Sequence, residues 1–177
     1  MPYPKEKVLT LTNTAQAARF LGLAGVITIA PFLIHSQWVT GPIVNAVLIM
    51  ALFLVGVRGA MVLALVPSMI ALSSGLLPAV LAPIVPFIMI GNVILILTID
   101  LICRRFKNKT KGFWLGVITG ALLKFLFLFA SVNIISQLLI KQELVIKVVQ
   151  MMSWPQFYTA MIGGVIAWAV LKACKKF

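Results

Sequence analysis

Acidic and metal-binding side chains are scarce in this sequence. Its 177 residues include three Asp and Glu, one His and two Cys, against 15 Lys and Arg. So few groups offer little scope for a nucleophile, a base and a metal ligand to converge, and we therefore expect no enzyme activity. The absence of GxxxxGK[ST], HExxH and GxSxG motifs agrees with this expectation.

The potential metal ligands do not form a recognisable pattern. His35 is a conceivable haem or metal ligand, but a lone histidine gives poor support for either group. Cys103 and Cys174 adjoin basic segments at the ends of apolar runs and lack zinc-ligand spacing. We therefore expect no metal, no cofactor and no disulfide.

Apolar residues dominate what remains. Hydrophobic residues make up 62% of the chain and charged residues 10%, whereas soluble domains average about 45–50% and about 25%. A chain this short cannot bury so much apolar surface in a water-soluble core, which indicates an integral membrane protein. The net charge of +12 lies in short segments between apolar runs, so we expect contact with the lipid bilayer and not with nucleic acid.

Six apolar runs are long enough to cross a bilayer as helices, each of which needs about 20 residues. They predict an all-α, polytopic membrane protein, a six-helix bundle forming a single domain over residues 1–177. Pro67 predicts a kink in the third helix. The predicted spans are approximately 15–34, 39–57, 60–77, 84–103, 113–136 and 155–173.

The charges between these runs predict the orientation of the bundle. Lys and Arg lie before the first span, between the second and third (Arg58 alone), between the fourth and fifth, and after the sixth, while the other connections contain only Lys141 and Lys147. By the positive-inside rule, both termini then lie in the cytoplasm. Residues 136–154 have the spacing of an amphipathic helix on the outer surface, although a plain extension of the fifth span is the alternative.

Uncharged polar side chains collect towards the outer ends of the predicted helices. An amide such as Asn45 would be costly against lipid, so we expect it to face the bundle. Either these groups form interhelical hydrogen bonds and an interfacial aromatic belt, or they line an outward-opening pocket for a small molecule. The residues predicted to bind that molecule are His35, Gln37, Trp38, Thr40, Asn45, Asn92, Lys124, Asn133 and Tyr158.

Lys124 is the most unusual of these residues because it lies near the middle of the fifth span. A lysine at that depth costs roughly 2.5–3.5 kcal/mol on the insertion scale, so it should face the bundle. Asn92 lies at a similar depth in the fourth span, and Asp100 about two turns closer to the cytoplasm. Lys124 either contacts an anionic group of a ligand, pairs with Asp100, or extends towards an interface.

The stretch from Thr40 to Ile96, together with six short spans, a polar outer end and a small-residue first helix, resembles the substrate-binding S components of energy-coupling factor (ECF) vitamin transporters. The resemblance covers about a third of the chain by sequence and all of it by architecture. It implies a subunit of the bacterial cell membrane that binds a vitamin-like micronutrient in its outer half. Such a subunit docks on a transmembrane scaffold protein driven by two cytoplasmic ATPases and hydrolyses nothing itself.

The same resemblance assigns roles to particular segments. Ala18, Gly22 and Gly25 would contact the scaffold, with glycine in place of the alanines of the family's AxxxA spacing. A lid would come from residues 35–42 and 73–83. Two other functions remain open: a stand-alone transporter or channel with Lys124 and Asp100 in its path, and an accessory subunit of a larger membrane complex.

Overall fold

The computed structural model describes residues 14–34, 36–73, 75, 79–138 and 142–175, with the side chains of some residues at helix ends left undescribed. Within these ranges the chain is helical, and they contain no strand. A 3₁₀ segment, Ala79–Ile84, leads directly into α4. The α-helices are α1 (Thr14–Leu33), α2 (Gln37–Leu54), α3 (Val57–Ser73), α4 (Val85–Arg105), α5 (Lys109–Leu138), α6 (Gln142–Met151) and α7 (Trp154–Ala173).

The helices lie where the six apolar runs predicted them. The third helix ends at Ser73, earlier than predicted, and the segment after the fifth run contains the separate short helix α6. Three stretches are long and apolar enough to cross a membrane: Ala82–Arg105, Lys109–Val132 and Val148–Ala173. The first three helices are apolar over shorter lengths.

Local sequence signals explain several helix ends. Gly56 separates α2 from α3 with a φ of +110°, a conformation that residues with a Cβ atom rarely adopt. The Asn108 side chain accepts a hydrogen bond from the Lys111 backbone N–H at 3.0 Å and so caps the start of α5. Arg104 and Arg105 occupy the last turn of α4, where positive charge is favourable.

Two helix pairs form the centre of the bundle. The most extensive contacts join α4 to α5 and α2 to α7. In the first pair, a Cβ atom at Gly116 would lie 3.1 Å from the Ile99 Cα, so this small residue lets the two backbones approach closely. Fully buried Leu48, Leu63 and Ile96 belong to the same apolar core.

Aromatic side chains join three helix ends at one end of the bundle. The Phe53 ring of α2 lies 5.6 Å from Phe113 of α5, and the Trp114 ring lies 5.8 Å from Trp168 of α7. This end is strongly basic, and we call it the basic end. Its Lys and Arg residues include Arg58, Arg104, Arg105, Lys107, Lys109, Lys111, Lys172 and Lys175.

A smaller apolar group lies towards the opposite end, which we call the outer end. Val148 of α6 and Met152 pack with Ile84, Leu128 and Val132. In α6, Ile146 is mostly exposed while Val148 is buried. The helix therefore packs against the bundle through one face, while Ile146 and Val149 remain exposed.

Candidate functional site: a buried lysine between two asparagines

Lys124 is at the centre of a polar cluster inside the bundle. Its Nζ atom donates hydrogen bonds to Asn45 Oδ1 of α2 and to Asn92 Oδ1 of α4, both at 2.8 Å. Asn45 Nδ2 in turn lies 3.4 Å from Thr159 Oγ1 of α7. Each of these four side chains is 2% exposed. We call Asn45, Asn92, Lys124 and Thr159 the polar cluster.

Close packing of α2 against α7 places two members of the cluster beside each other. A Cβ atom at Gly163 would lie 2.7 Å from Asn45 Cβ and 2.9 Å from the Pro42 carbonyl oxygen. A Cβ atom at Gly41 would lie 2.8 Å from Thr159 Cγ2. Glycine at these two positions therefore allows the backbones to approach closely enough to bring Asn45 next to Thr159.

Backbone carbonyl groups fix the orientation of both amides. Asn45 Nδ2 donates to the Gly41 carbonyl at 2.9 Å, and Asn92 Nδ2 donates to the Ala64 carbonyl of α3 at 3.3 Å. Pro67 leaves the carbonyl of Leu63 without its helical donor, and the Ala64 carbonyl that Asn92 contacts is the next one along α3. Because both Nδ2 groups are used, each amide presents its oxygen to Lys124.

Helix positions give the depth of the cluster within the bundle. At the 1.5 Å rise of an α-helix, Asn45 is about 12 Å from the start of α2 and Asn92 about 10 Å from the start of α4. Thr159 is about 8 Å from the start of α7. These three helices all begin at the outer end, whereas Lys124 is about equally far from the two ends of α5, so the cluster extends from the middle of the bundle into its outer half.

The charge of Lys124 has no acidic partner among the described residues. Asp100, which the sequence offered as one possibility, instead pairs through Oδ2 with Arg104 Nε at 2.9 Å. The other carboxylate oxygen of Asp100 is buried without a hydrogen-bond partner in the described part of the chain. Lys124 is therefore surrounded by neutral acceptors.

Three other predicted binding residues lie apart from the cluster. Trp38 is 61% exposed and Tyr158 is 53% exposed. Thr40 Oγ1 donates to the backbone carbonyl of Ser36 at 3.0 Å, within its own helix. Tyr158 belongs to a group of aromatic rings around Trp154, which stacks on Phe125 at 4.9 Å. That arrangement matches the interfacial aromatic belt that was the alternative to a pocket.

The remaining predicted binding residues cannot be placed relative to Lys124. His35 lies outside the described residues. Gln37 and Asn133 belong to α2 and α5, but their side chains are not among those described. Their roles in binding stay predictions, as do those of the three residues that lie together, Asn45, Asn92 and Lys124.

Thr159 is the member of the cluster that the set of predicted binding residues lacked. That set contained its neighbour Tyr158, because an aromatic hydroxyl near a helix end suits ligand binding. Helical spacing offered a better signal: Thr159 is one turn before Gly163, on the small-residue face of α7 that packs inside. Tyr158, Ile162 and Val165 share the opposite, exposed face.

An apolar groove lies between α3 and α4, with the 3₁₀ segment contributing Ala82. It has a volume of about 500 Å³, and none of the predicted binding residues lines it. Its walls offer almost no hydrogen-bonding groups, so polar recognition falls to the cluster. The residues lining the groove are Leu65, Met69, Leu72, Ala82, Val85, Pro86, Met89, Ile90, Val93 and Ile94.

The small residues of α1 face away from the rest of the bundle. Ala18 and Gly22 are exposed, and Gly25 is half-buried. A Cβ atom at Gly22 or Gly25 would meet nothing within 4 Å in the described structure. These residues are therefore not needed for packing against α2 or α3, in contrast to the glycines of α5 and α7.

The chemistry of the cluster is that of hydrogen bonding and positive charge. Among the described residues, no group of three His, Cys, Asp or Glu side chains comes together in a way that could hold a metal ion. The side chains that do converge are two amides, a hydroxyl and an ammonium group. No protein-family model, curated protein or solved structure matches this chain.

Proposed function

We propose that this chain is the substrate-binding subunit of an ECF-type uptake transporter in the bacterial cell membrane. Its role is to capture a small, vitamin-like micronutrient from the outer face. The polar cluster is the observation that carries this proposal, because four helices bring hydrogen-bonding groups and a charge together inside the bundle. Ionisable side chains inside a membrane are costly, and where they occur they commonly belong to functional sites.

The proposal includes six membrane spans with both termini in the cytoplasm. Its support is the asymmetry of charge between the two ends of the bundle. The turns from α2 to α3 and from α4 to α5 contribute to the basic end, as does the end of α7. Placing that end in the cytoplasm follows the positive-inside rule and directs the polar cluster to the outside.

The family resemblance implies that the chain docks on a membrane scaffold protein. Two ATPases drive that scaffold protein. The open face of α1 supports this docking, because Ala18 and Gly22 leave room for the backbone of another helix to approach. The same face would also suit an accessory subunit of a different membrane complex. The two functions differ in whether the chain holds a small molecule.

Native mass spectrometry of the detergent-purified protein, from cells grown in rich medium, tests the proposed function. We expect one small molecule per chain, retained without ATP. Asn45→Ala should lower its occupancy because the variant removes an acceptor of Lys124. Asn108→Ala is the matched control: it removes an exposed cap at the basic end and should leave occupancy unchanged.

Flux measurements distinguish a substrate-binding subunit from a stand-alone transporter or channel. Liposomes that contain this protein alone should not transport the molecule that it binds. Flux through the isolated protein would indicate a stand-alone transporter or channel instead. A protein that holds no small molecule, and co-purifies with a membrane complex lacking ATPases, would indicate an accessory subunit.

A further inference from the structure

We infer that the polar cluster recognises an anionic group, such as a carboxylate, through Lys124. This inference rests on the proposed function, since it names the chemical class of the molecule bound at the same site. Three features of the described structure support it: the uncompensated charge of the lysine, the fixed orientation of its two acceptors, and the donors that remain for a ligand.

The first feature is the charge. Lys124 is 2% exposed and lies within Lys109–Val132, one of the stretches apolar enough to cross a membrane. Neutral amide oxygens satisfy hydrogen bonds but supply no negative charge, and a buried ammonium group is strongly disfavoured without one. A ligand carboxylate would supply the counter-charge that the described residues lack.

The second feature is the direction in which the amides point. Both Nδ2 groups donate to backbone carbonyls, at Gly41 and at Ala64. The second N–H of Asn45 faces Thr159, whereas Asn92 keeps a second N–H beyond its hydrogen bond to Ala64. Asn45 and Asn92 therefore hold the lysine in place through their oxygens, and the positive charge that an anion requires comes from Lys124.

The third feature is the set of donors that remain. A lysine ammonium carries three N–H groups, and Lys124 uses two of them on the asparagines. The Thr159 hydroxyl makes only long contacts, at 3.4 Å from Asn45 Nδ2 and 3.3 Å to the Gln156 carbonyl oxygen. A carboxylate accepts several hydrogen bonds, so one oxygen on Lys124 and one on Thr159 is a satisfactory arrangement.

The test compares the bound molecule in the wild type and in three variants. Lys124→Gln keeps an N–H donor but removes the charge, and Lys124→Met removes both. Lys111→Gln is the control, because it removes an exposed charge at the basic end. Gel filtration and the melting temperature establish that each variant folds, and Lys124→Gln is the variant expected to tolerate the change best.

We expect the molecule released from the wild type to carry a carboxylate or another oxyanion. Its affinity should fall about 10- to 100-fold in Lys124→Gln, which is the loss typical of a hydrogen bond to a charged group. Lys111→Gln should bind as the wild type does. A neutral released molecule, or an anionic one that both Lys124→Gln and Lys124→Met bind as tightly as the wild type does, would overturn the inference while leaving the proposed function intact.

Matched probes provide a second measurement that does not depend on co-purification. Nicotinate with nicotinamide, pantothenate with panthenol, and biotin with biotin amide differ mainly in the carboxylate. Thermal stabilisation by the acid and not by its neutral counterpart supports the inference, and equal stabilisation by both overturns it. If no molecule is released and no probe stabilises the protein, the proposed function itself fails.

The mass of the released molecule also identifies its source. An anionic phospholipid would satisfy the same lysine chemistry, but it would come from the membrane. That result would support the anion site and contradict nutrient capture. A water-soluble acid of vitamin size would support both.

Discussion

The contribution of Lys124 to the free energy of unfolding depends on its two asparagine partners. Single and double variants of Lys124 and Asn92 measure this dependence. Asn92→Leu removes one acceptor and leaves a buried ammonium group underbonded, so we expect it to lower the free energy of unfolding by about 1–3 kcal/mol. Lys124→Met in the same background removes the group that Asn92→Leu leaves underbonded. The double variant should therefore lose less free energy of unfolding than the two single variants lose together.

A double-mutant cycle on detergent-purified protein checks this expectation through melting temperatures and denaturant unfolding. Interhelical hydrogen bonds in membranes give coupling energies of about 0.6–1.7 kcal/mol, and we expect a value in that range. A parallel cycle that pairs Asn92→Leu with Lys111→Met should be additive, because Lys111 is exposed at the basic end. Additive effects of Lys124→Met and Asn92→Leu would show that the contact contributes nothing to stability.

The sequence predicted three residues of the polar cluster, Asn45, Asn92 and Lys124, but not Thr159. Depth counting correctly placed Asn92 level with Lys124, because residue number converts directly to height along a helix. Height alone does not specify which way a side chain points around the helix axis. Tyr158 and Thr159 have nearly the same height, yet one is exposed and the other is buried in the cluster.

Glycines in different helices have different packing roles, which leads to a prediction about α1 and α7. Gly163→Ala introduces a Cβ within 2.9 Å of backbone atoms of α2, which cannot move without separating the two helices. We expect a loss of about 1–3 kcal/mol of stability, typical of overpacking. Gly22→Ala meets nothing within 4 Å, so it should be neutral or raise stability by roughly 0.5–1 kcal/mol.

Melting temperatures of the two variants in the same detergent provide the comparison. Gly163→Ala should also weaken ligand binding, because it displaces Asn45 relative to Thr159. Equal melting temperatures for the two variants would contradict the close approach of α2 to α7. A large loss in Gly22→Ala would instead mean that α1 packs against part of this chain through its small-residue face.

Among the features of the secondary structure, the positions of the helices along the chain were easier to predict than the pairing of helices. Long apolar runs separated by charged or glycine-containing turns leave little choice of where a helix begins and ends, as at Gly56 and Asn108. The pairing of helices was less predictable, since several helices carry small residues at helical spacing. Gly116 packs against α4 while Gly22 faces outward, and spacing within one helix does not distinguish them.

For the whole molecule, the uneven distribution of charge predicts a single orientation in the membrane. Positive residues concentrate at the basic end, so insertion with that end in the cytoplasm avoids moving many cations across the bilayer. Ser36, before α2, and Thr110, in the first turn of α5, are exposed and lie at opposite ends. They are suitable positions for a cysteine-labelling test in a background where Cys103 and Cys174 are replaced by serine.

We expect a membrane-impermeant maleimide to label Ser36→Cys in intact spheroplasts and to leave Thr110→Cys unlabelled. Inside-out vesicles should give the reverse pattern, because the basic end then faces the reagent. A permeant maleimide that labels both variants equally is the control for reactivity and expression. Labelling of Thr110→Cys from outside would place the basic end outward and the starts of α2, α4 and α7 in the cytoplasm, which would contradict capture of an external nutrient by the polar cluster.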